Sequence, residues 1–408
     1  MKVITLSFVF VSCLLFSCKK NDGGGSGGNN AGLKINLTDL NTLGGELIVS
    51  EKGGKILLDT ILPAHTAFQT NLATTEKLVD VTFVDTSNDS HYMNITTMKA
   101  VDPSGWTSTS ILYTHRIQEA LKPQEPAFDQ SSILYTHVPS PLPDYLTSDY
   151  PVFNATATDL STGNLGLSYT RHSNDRYLYL TFPSLGLYSF HIPKGPKDTV
   201  DLSKMDTTVK VNFTLPPDYY RPLLGLTLNG FTDAADLTKE LKLFDNGGNW
   251  SDLQYPRTVI KKYEVTASCY GIKAIKQGNG IFYSYGDSMI TSLPIPDLST
   301  FDFPSILSNN FQIKWTGITP TYYYVRWTSD FSWTIYFPSD VTTHDAASFM
   351  SSLNIRRLKG KDFPTIYPSG YQFETITGFN YQEYTSYLHT PALYRTKRIE
   401  RAVGFSTD

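Results

Sequence analysis

The chain has 408 residues, with 34 Lys and Arg against 38 Asp and Glu, a formal charge of −4. That balance argues against a nucleic-acid partner, which needs a concentrated basic surface. Only three cysteines occur (Cys13, Cys18 and Cys269), too few for a disulfide framework to hold a chain of this size.

The N-terminal segment comes first. Lys2 supplies a short positive charge, and Val3 to Phe16 is an apolar run of fourteen residues. That length suits the apolar region of a secretory signal and is short for a membrane span. The run ends Leu15-Phe16-Ser17-Cys18. This resembles the lipobox of bacterial lipoproteins, with a leucine three places before the cysteine and a small residue just before it.

The resemblance implies a signal peptide at 1–17 and acylation of Cys18, for instance with palmitate, as the first residue of the mature protein. Two or more acyl chains anchor a protein stably, at roughly 0.8 kcal/mol per buried CH₂. The implied partner is therefore a membrane, reached through the lipid anchor. Lys19 stands where the family's inner-membrane retention signal places Asp, so the implied destination is the outer membrane, on either its surface or its periplasmic face. Removing residues 1–17 takes away Lys2 alone among the charged residues, leaving 33 basic against 38 acidic. With Cys18 lipidated, Cys269 has no intrachain partner. It sits in the strand-like run "EVTASCYGI" and reads as a small buried apolar residue.

Residues 18–32 form a tether. Six glycines fall between Lys19 and Gly32, and a chain of this composition has an r.m.s. reach of about 20 Å.

Beyond the tether the patterns are β almost throughout. Val79, Val81 and Phe83 alternate onto one face, as do Val209, Val211, Phe213 and Leu215. Helical patterns are expected only at 110–121, 232–241 and 345–353. The chain exceeds what one core usually holds. The predicted class is all-β, with two or three antiparallel sandwich-like domains. The boundaries are a β-sandwich at 33–104, a Pro-rich connector at 105–150, a second β domain at 151–221 and a larger C-terminal β domain at 222–408. Pro123, Pro126, Pro139, Pro141 and Pro143 are expected to keep the connector irregular. It carries a repeat, "ILYTH", at Ile111–His115 and Ile133–His137. Two tyrosine–histidine units converging on a metal would need further ligands that the nearby spacing lacks.

The stretch Phe311–Asp340 is the most patterned. Phe311, Ile313 and Trp315, then Tyr323, Val325 and Trp327, then Phe331, Trp333, Ile335 and Phe337 predict the core face of a three-stranded meander. The opposite face carries Tyr322, Tyr324, Arg326 and Tyr336. Tyrosines among hydrogen-bonding neighbours offer an apolar ring with a polar tip, which suits a glycan or a protein partner. These four residues are the candidate binding platform.

No zinc helix, phosphate loop or calcium loop occurs, and no metal or cofactor is expected. The expected function is a non-enzymatic, membrane-anchored lipoprotein with a binding or envelope-assembly role at the outer membrane. The alternative is a cell-surface glycan-binding lipoprotein for nutrient uptake. A third reading is a β-scaffold hydrolase using Glu374 and Glu383, both expected in aromatic C-terminal strands.

Overall fold

The computed structural model describes residues 33–407, apart from 39–44, 65, 86–92, 110–128, 144, 150–152, 162, 173–175, 214–220, 247–252, 274–275, 294–307, 316–318 and 395. The first strands are β1 (Leu33–Leu37), β2 (Gly45–Ser50), β3 (Ile56–Leu62), β4 (Phe68–Leu72), β5 (Val79–Asp85) and β6 (Met93–Val101). Next come β7 (Asp129–Thr136), β8 (Tyr145–Ser148), β9 (Ala155–Asp159), β10 (Asn164–Arg171) and β11 (Leu178–Phe182). They are followed by β12 (Leu187–His191), β13 (Lys197–Asp201), β14 (Asp206–Thr207) and β15 (Val209–Lys210). Then come β16 (Arg221–Phe231), β17 (Glu240–Asn246), β18 (Gln254–Tyr255), β19 (Lys262–Lys273) and β20 (Lys276–Gly286). The C-terminal part holds β21 (Asn310–Gln312), β22 (Tyr322–Thr328), β23 (Phe331–Pro338), β24 (Thr343–Asp345), β25 (Pro368–Ile376) and β26 (Arg401–Thr407). Among the described residues there are three short α-helices: α1 (Ala346–Ser352), α2 (Tyr381–Leu388) and α3 (Pro391–Tyr394).

The fold is all-β, and one large sheet dominates it. Twelve strands run in the order β17-β16-β19-β20-β26-β25-β22-β23-β6-β5-β2-β3. Neighbours are antiparallel except β23 and β6, which run parallel from Phe331 beside Met93 to Tyr336 beside Met98. The boundaries placed at 104 and 222 therefore do not separate sheets. Strands β2, β3, β5 and β6 extend the C-terminal sheet, and contacts join Gly32–Asp408 into one compact unit. The junction is bonded at side-chain level as well: Trp333 Nε1 donates to Thr97 Oγ1 at 2.9 Å, both residues being buried.

Alternation along each strand gives this sheet two apolar faces. One buries Val325, Trp327, Trp333, Ile335, Phe373 and Phe405. The other buries Val79, Val81, Met98, Tyr322, Ile376 and Ala402 beneath α2, Trp106 and the β1–β4 pair. Each large side chain removed from water contributes about 1.5–3 kcal/mol, an upper figure because unfolded chains already shield part of it.

Residues 129–207 form a sandwich of two four-stranded sheets, β13-β7-β10-β9 and β14-β12-β11-β8. Ile133, Tyr135, Leu167, Leu180 and Phe182 fill its core. Both β7 and β8 come from the segment expected to be an irregular connector. Pro139, Pro141 and Pro143 lie between these strands rather than inside them, so neither ladder loses a donor. Strand β11 is buried on both sides. Leu178 and Leu180 face the sandwich core, while Tyr179 points the other way and packs with Tyr188 into the cluster of the large sheet.

Two local expectations change. The three-stranded meander is a hairpin, β22–β23, whose third neighbour is β25. Strand β21 pairs instead with β24 and lies over the sheet, with Phe311 edge-on to Phe337 at 5.8 Å. The helix expected at 232–241 is a turn leading into β17. There Asp233 Oδ1 accepts from Ala235 N at 2.9 Å and Asp236 Oδ1 from Thr238 N at 3.0 Å, side-chain bonds that compete with helical ones. The helix expected at 345–353 is α1, capped by Asp345. The one at 110–121 lies outside the described residues.

Candidate functional site

On the hairpin β22–β23, residues at even positions face α2 and the open part of the same sheet surface. Tyr322 is at the covered end. It is 3% exposed, its ring stacked on Tyr384 at 5.0 Å, and burial followed by the nearby Glu374 carboxylate pushes its phenol well up. It belongs to the core, because α2 supplies a layer that the strand pattern does not announce.

Tyr324, Arg326 and Tyr336 are half-buried and sit further along the same face. The rings of Tyr324 and Tyr336 are 5.2 Å apart, and the Arg326 guanidinium lies 5.6 Å from the Tyr324 centroid. Tyr324 donates its hydroxyl hydrogen to Gln372 Oε1 at 2.7 Å, and Gln372 Nε2 in turn donates to Glu374 Oε1. Gly404 on the neighbouring strand makes room for this pair, since a Cβ there would lie 2.8 Å from Glu374 Cγ. The result is a fixed arrangement of two aromatic rings, a guanidinium and an amide–carboxylate pair on a stiff sheet. Such a surface can receive an apolar ring face and hydrogen-bond its rim.

The carboxylates named for a hydrolase do not share one setting. Glu374 is buried against Gln372. Glu383 is not in a strand: it closes a capping box with Asn380 at the start of α2, accepting from Asn380 N at 2.9 Å. The signal for that helix is legible in retrospect, as Asn380 followed three residues later by Glu383 and an aromatic run.

Of the repeated "ILYTH", the first copy lies outside the described residues. The second ends β7, where His137 Nδ1 meets Asp201 Oδ1 at 2.8 Å on an exposed surface. Among the described residues no group of three His, Cys, Asp or Glu is placed to hold a metal ion. Cys269 is fully buried in β19, and burial pushes its thiol up to about 12. Cys18 and the tether lie outside the described residues. No helix among those described is long and apolar enough to cross a membrane.

A second feature, unmarked by any sequence motif, is a cleft of about 680 Å³ at one end of the large sheet. It lies between the end of β20 and the segment leading into β26. Lys262, Tyr285, Asp287, Lys397, Arg398 and Arg401 are among its lining residues. Comparison with known proteins adds nothing to these sites, because no family model, curated protein or solved structure matches the chain.

Proposed function

We propose that this chain is a lipoprotein anchored through Cys18 at the outer membrane, where it acts by binding. Its recognition surface is the face formed by Tyr324, Arg326 and Tyr336. The observation that supports this reading is the Tyr324–Tyr336 pair, held half-buried by Gln372 and flanked by Arg326 on the β22–β23 hairpin. Rings held this way lose little freedom on binding and offer both apolar and hydrogen-bonding contact, which favours a saccharide over a fully apolar ligand.

The test is retardation of the acylated protein by a panel of immobilised polysaccharides, with Tyr324→Ala and Tyr336→Ala compared against the parent. Retardation lost in both variants, with folding unchanged, supports the assignment. Binding that survives both substitutions removes this face as the recognition surface. Acyl-lipid labelling of the parent and of Cys18→Ala tests the anchor separately.

A further inference from the structure

The cleft at the sheet end has a charge pattern unlike the acidic chain around it. Four cations line it, Lys262, Lys397, Arg398 and Arg401, against two carboxylates, Asp287 and Glu400. Two of the cations are already engaged. Lys262 is paired with Asp287, and the buried Arg398 guanidinium lies 3.4 Å from Glu264. Lys397 and Arg401 are exposed and have no carboxylate within ion-pair distance among the described residues. The Lys397 ammonium is held over the Phe379 ring at 4.5 Å, which orders it without neutralising it. Among the described lining residues, with Asp287 paired to Lys262, Glu400 is the carboxylate left to oppose these two cations.

The rest of the lining suits a polyol. Ser288, Thr377 and Thr396 supply hydroxyl groups, and the half-buried Tyr285 ring gives an apolar wall. That ring is fixed edge-on against the buried Phe231 at 5.5 Å. The volume falls within the range of small-ligand sites, about 300–1,000 Å³. A groove of about 620 Å³ over the sandwich sets Lys197 against Asp159 and Asp198 and has no such excess of positive charge.

We propose that this cleft binds an acidic sugar, its carboxylate held by Lys397 and Arg401 and its ring lodged against Tyr285. The site is separate from the Tyr324–Tyr336 face, so either assignment stands or falls without the other.

The test is calorimetric titration of the detergent-solubilised full chain with a galacturonate oligosaccharide, the matching neutral galactose oligosaccharide and inorganic sulfate. The expected result is saturable binding of the uronate alone, weakening with added salt. The Lys397→Gln/Arg401→Gln double variant, whose changes lie on exposed side chains, is expected to bind about tenfold or more weakly. Tyr324→Ala should leave this binding unchanged. The proposal is overturned by no uronate binding, by equal binding of the neutral sugar or of sulfate, or by full affinity in the folded double variant.

Discussion

Arg398 and Glu264 form an ion pair inside the protein, Nε to Oε1 at 3.4 Å, with side chains 0% and 2% exposed. The carboxylate is also the acceptor for the Tyr283 hydroxyl at 2.6 Å and for Asn229 Nδ2 at 3.1 Å. Through this pair the segment before β26 is fastened to β16, β19 and β20, which places the cleft residues Lys397 and Arg401. A buried charge left without its partner is costly, about 3–5 kcal/mol, whereas removing both charges costs much less. Arg398→Met and Glu264→Gln should therefore each lower stability by about that amount, and the double variant should recover a large part of the summed loss. Urea denaturation of the four proteins measures this, and simple additivity would refute the coupling.

Asp149 carries the second prediction. Its carboxylate is buried and accepts from Tyr177 N at 2.7 Å and from Thr232 Oγ1 at 2.7 Å, linking the sandwich to the end of β16. Burial raises its pKa to about 6, against the pull of Thr232, Arg176 and Tyr177. The protonated form is the one the fold prefers. Its contribution to stability is thus fully present below the ordinary Asp value of 3.8 and is lost as pH rises through about 6. Carboxyl NMR should find this group titrating near 6, and Thr232→Val should move it higher, because the Thr232 hydrogen bond favours the charged form. A titration near the ordinary value would overturn the reading.

Much of the strand pattern is legible in the residues themselves, and much of the assembly is not. Val79 and Val81 face one way and Phe331, Trp333, Ile335 and Phe337 share a face, as period two requires. What no local pattern encodes is partnership at long range. Trp333 bonds Thr97 across 236 residues, and that contact merges segments which look like separate domains. Tyr322 looks outward in its own strand, yet Tyr384, 62 residues later, covers it. The cleft is equally hidden, since Lys262 and Lys397 approach one another only when β20 and β26 pair. The Tyr324–Arg326–Tyr336 group was readable because all three lie on one hairpin, where turn and alternation decide the face.

His389 contributes to the loss of stability in acid, as does His344, whose pKa burial also lowers from 6.5 to about 3. His389 is 0% exposed, stacked on Trp106 at 3.9 Å, with Nδ1 donating to Ser108 O at 3.1 Å. Burial lowers its pKa from 6.5 to about 3, so the neutral ring is the form that fits. The stability it supports is present above 6.5 and is lost as pH falls toward 3. Between pH 7.5 and 5 this one residue should account for about 2 kcal/mol of lost stability. His389→Asn keeps a donor toward Ser108 but has no titrating ring. It should be less stable than the parent at pH 7.5, yet show a flatter decline down to pH 5. Equal slopes in urea melts at the two pH values would show that His389 is not the group responsible.

Gly404 offers the last test, at the polar row beside the Tyr324–Tyr336 face. It sits in β26 opposite Glu374, and a Cβ added there would lie 2.8 Å from Glu374 Cγ and 3.2 Å from Gln372 Nε2. Neither side chain has slack: Gln372 is tied to both Tyr324 and Glu374, and both are buried. Gly404→Ala should therefore destabilise by about 1–3 kcal/mol, the usual cost of forcing extra volume into a filled site. It should also disturb the Tyr324 ring through Gln372. Pairing it with Glu374→Ala, which vacates the colliding atom, should return part of the stability while leaving Tyr324 without its fixed partner. A Gly404→Ala protein as stable as the parent would mean the row has room to shift, and the face would then not be as rigidly set as its hydrogen bonds imply.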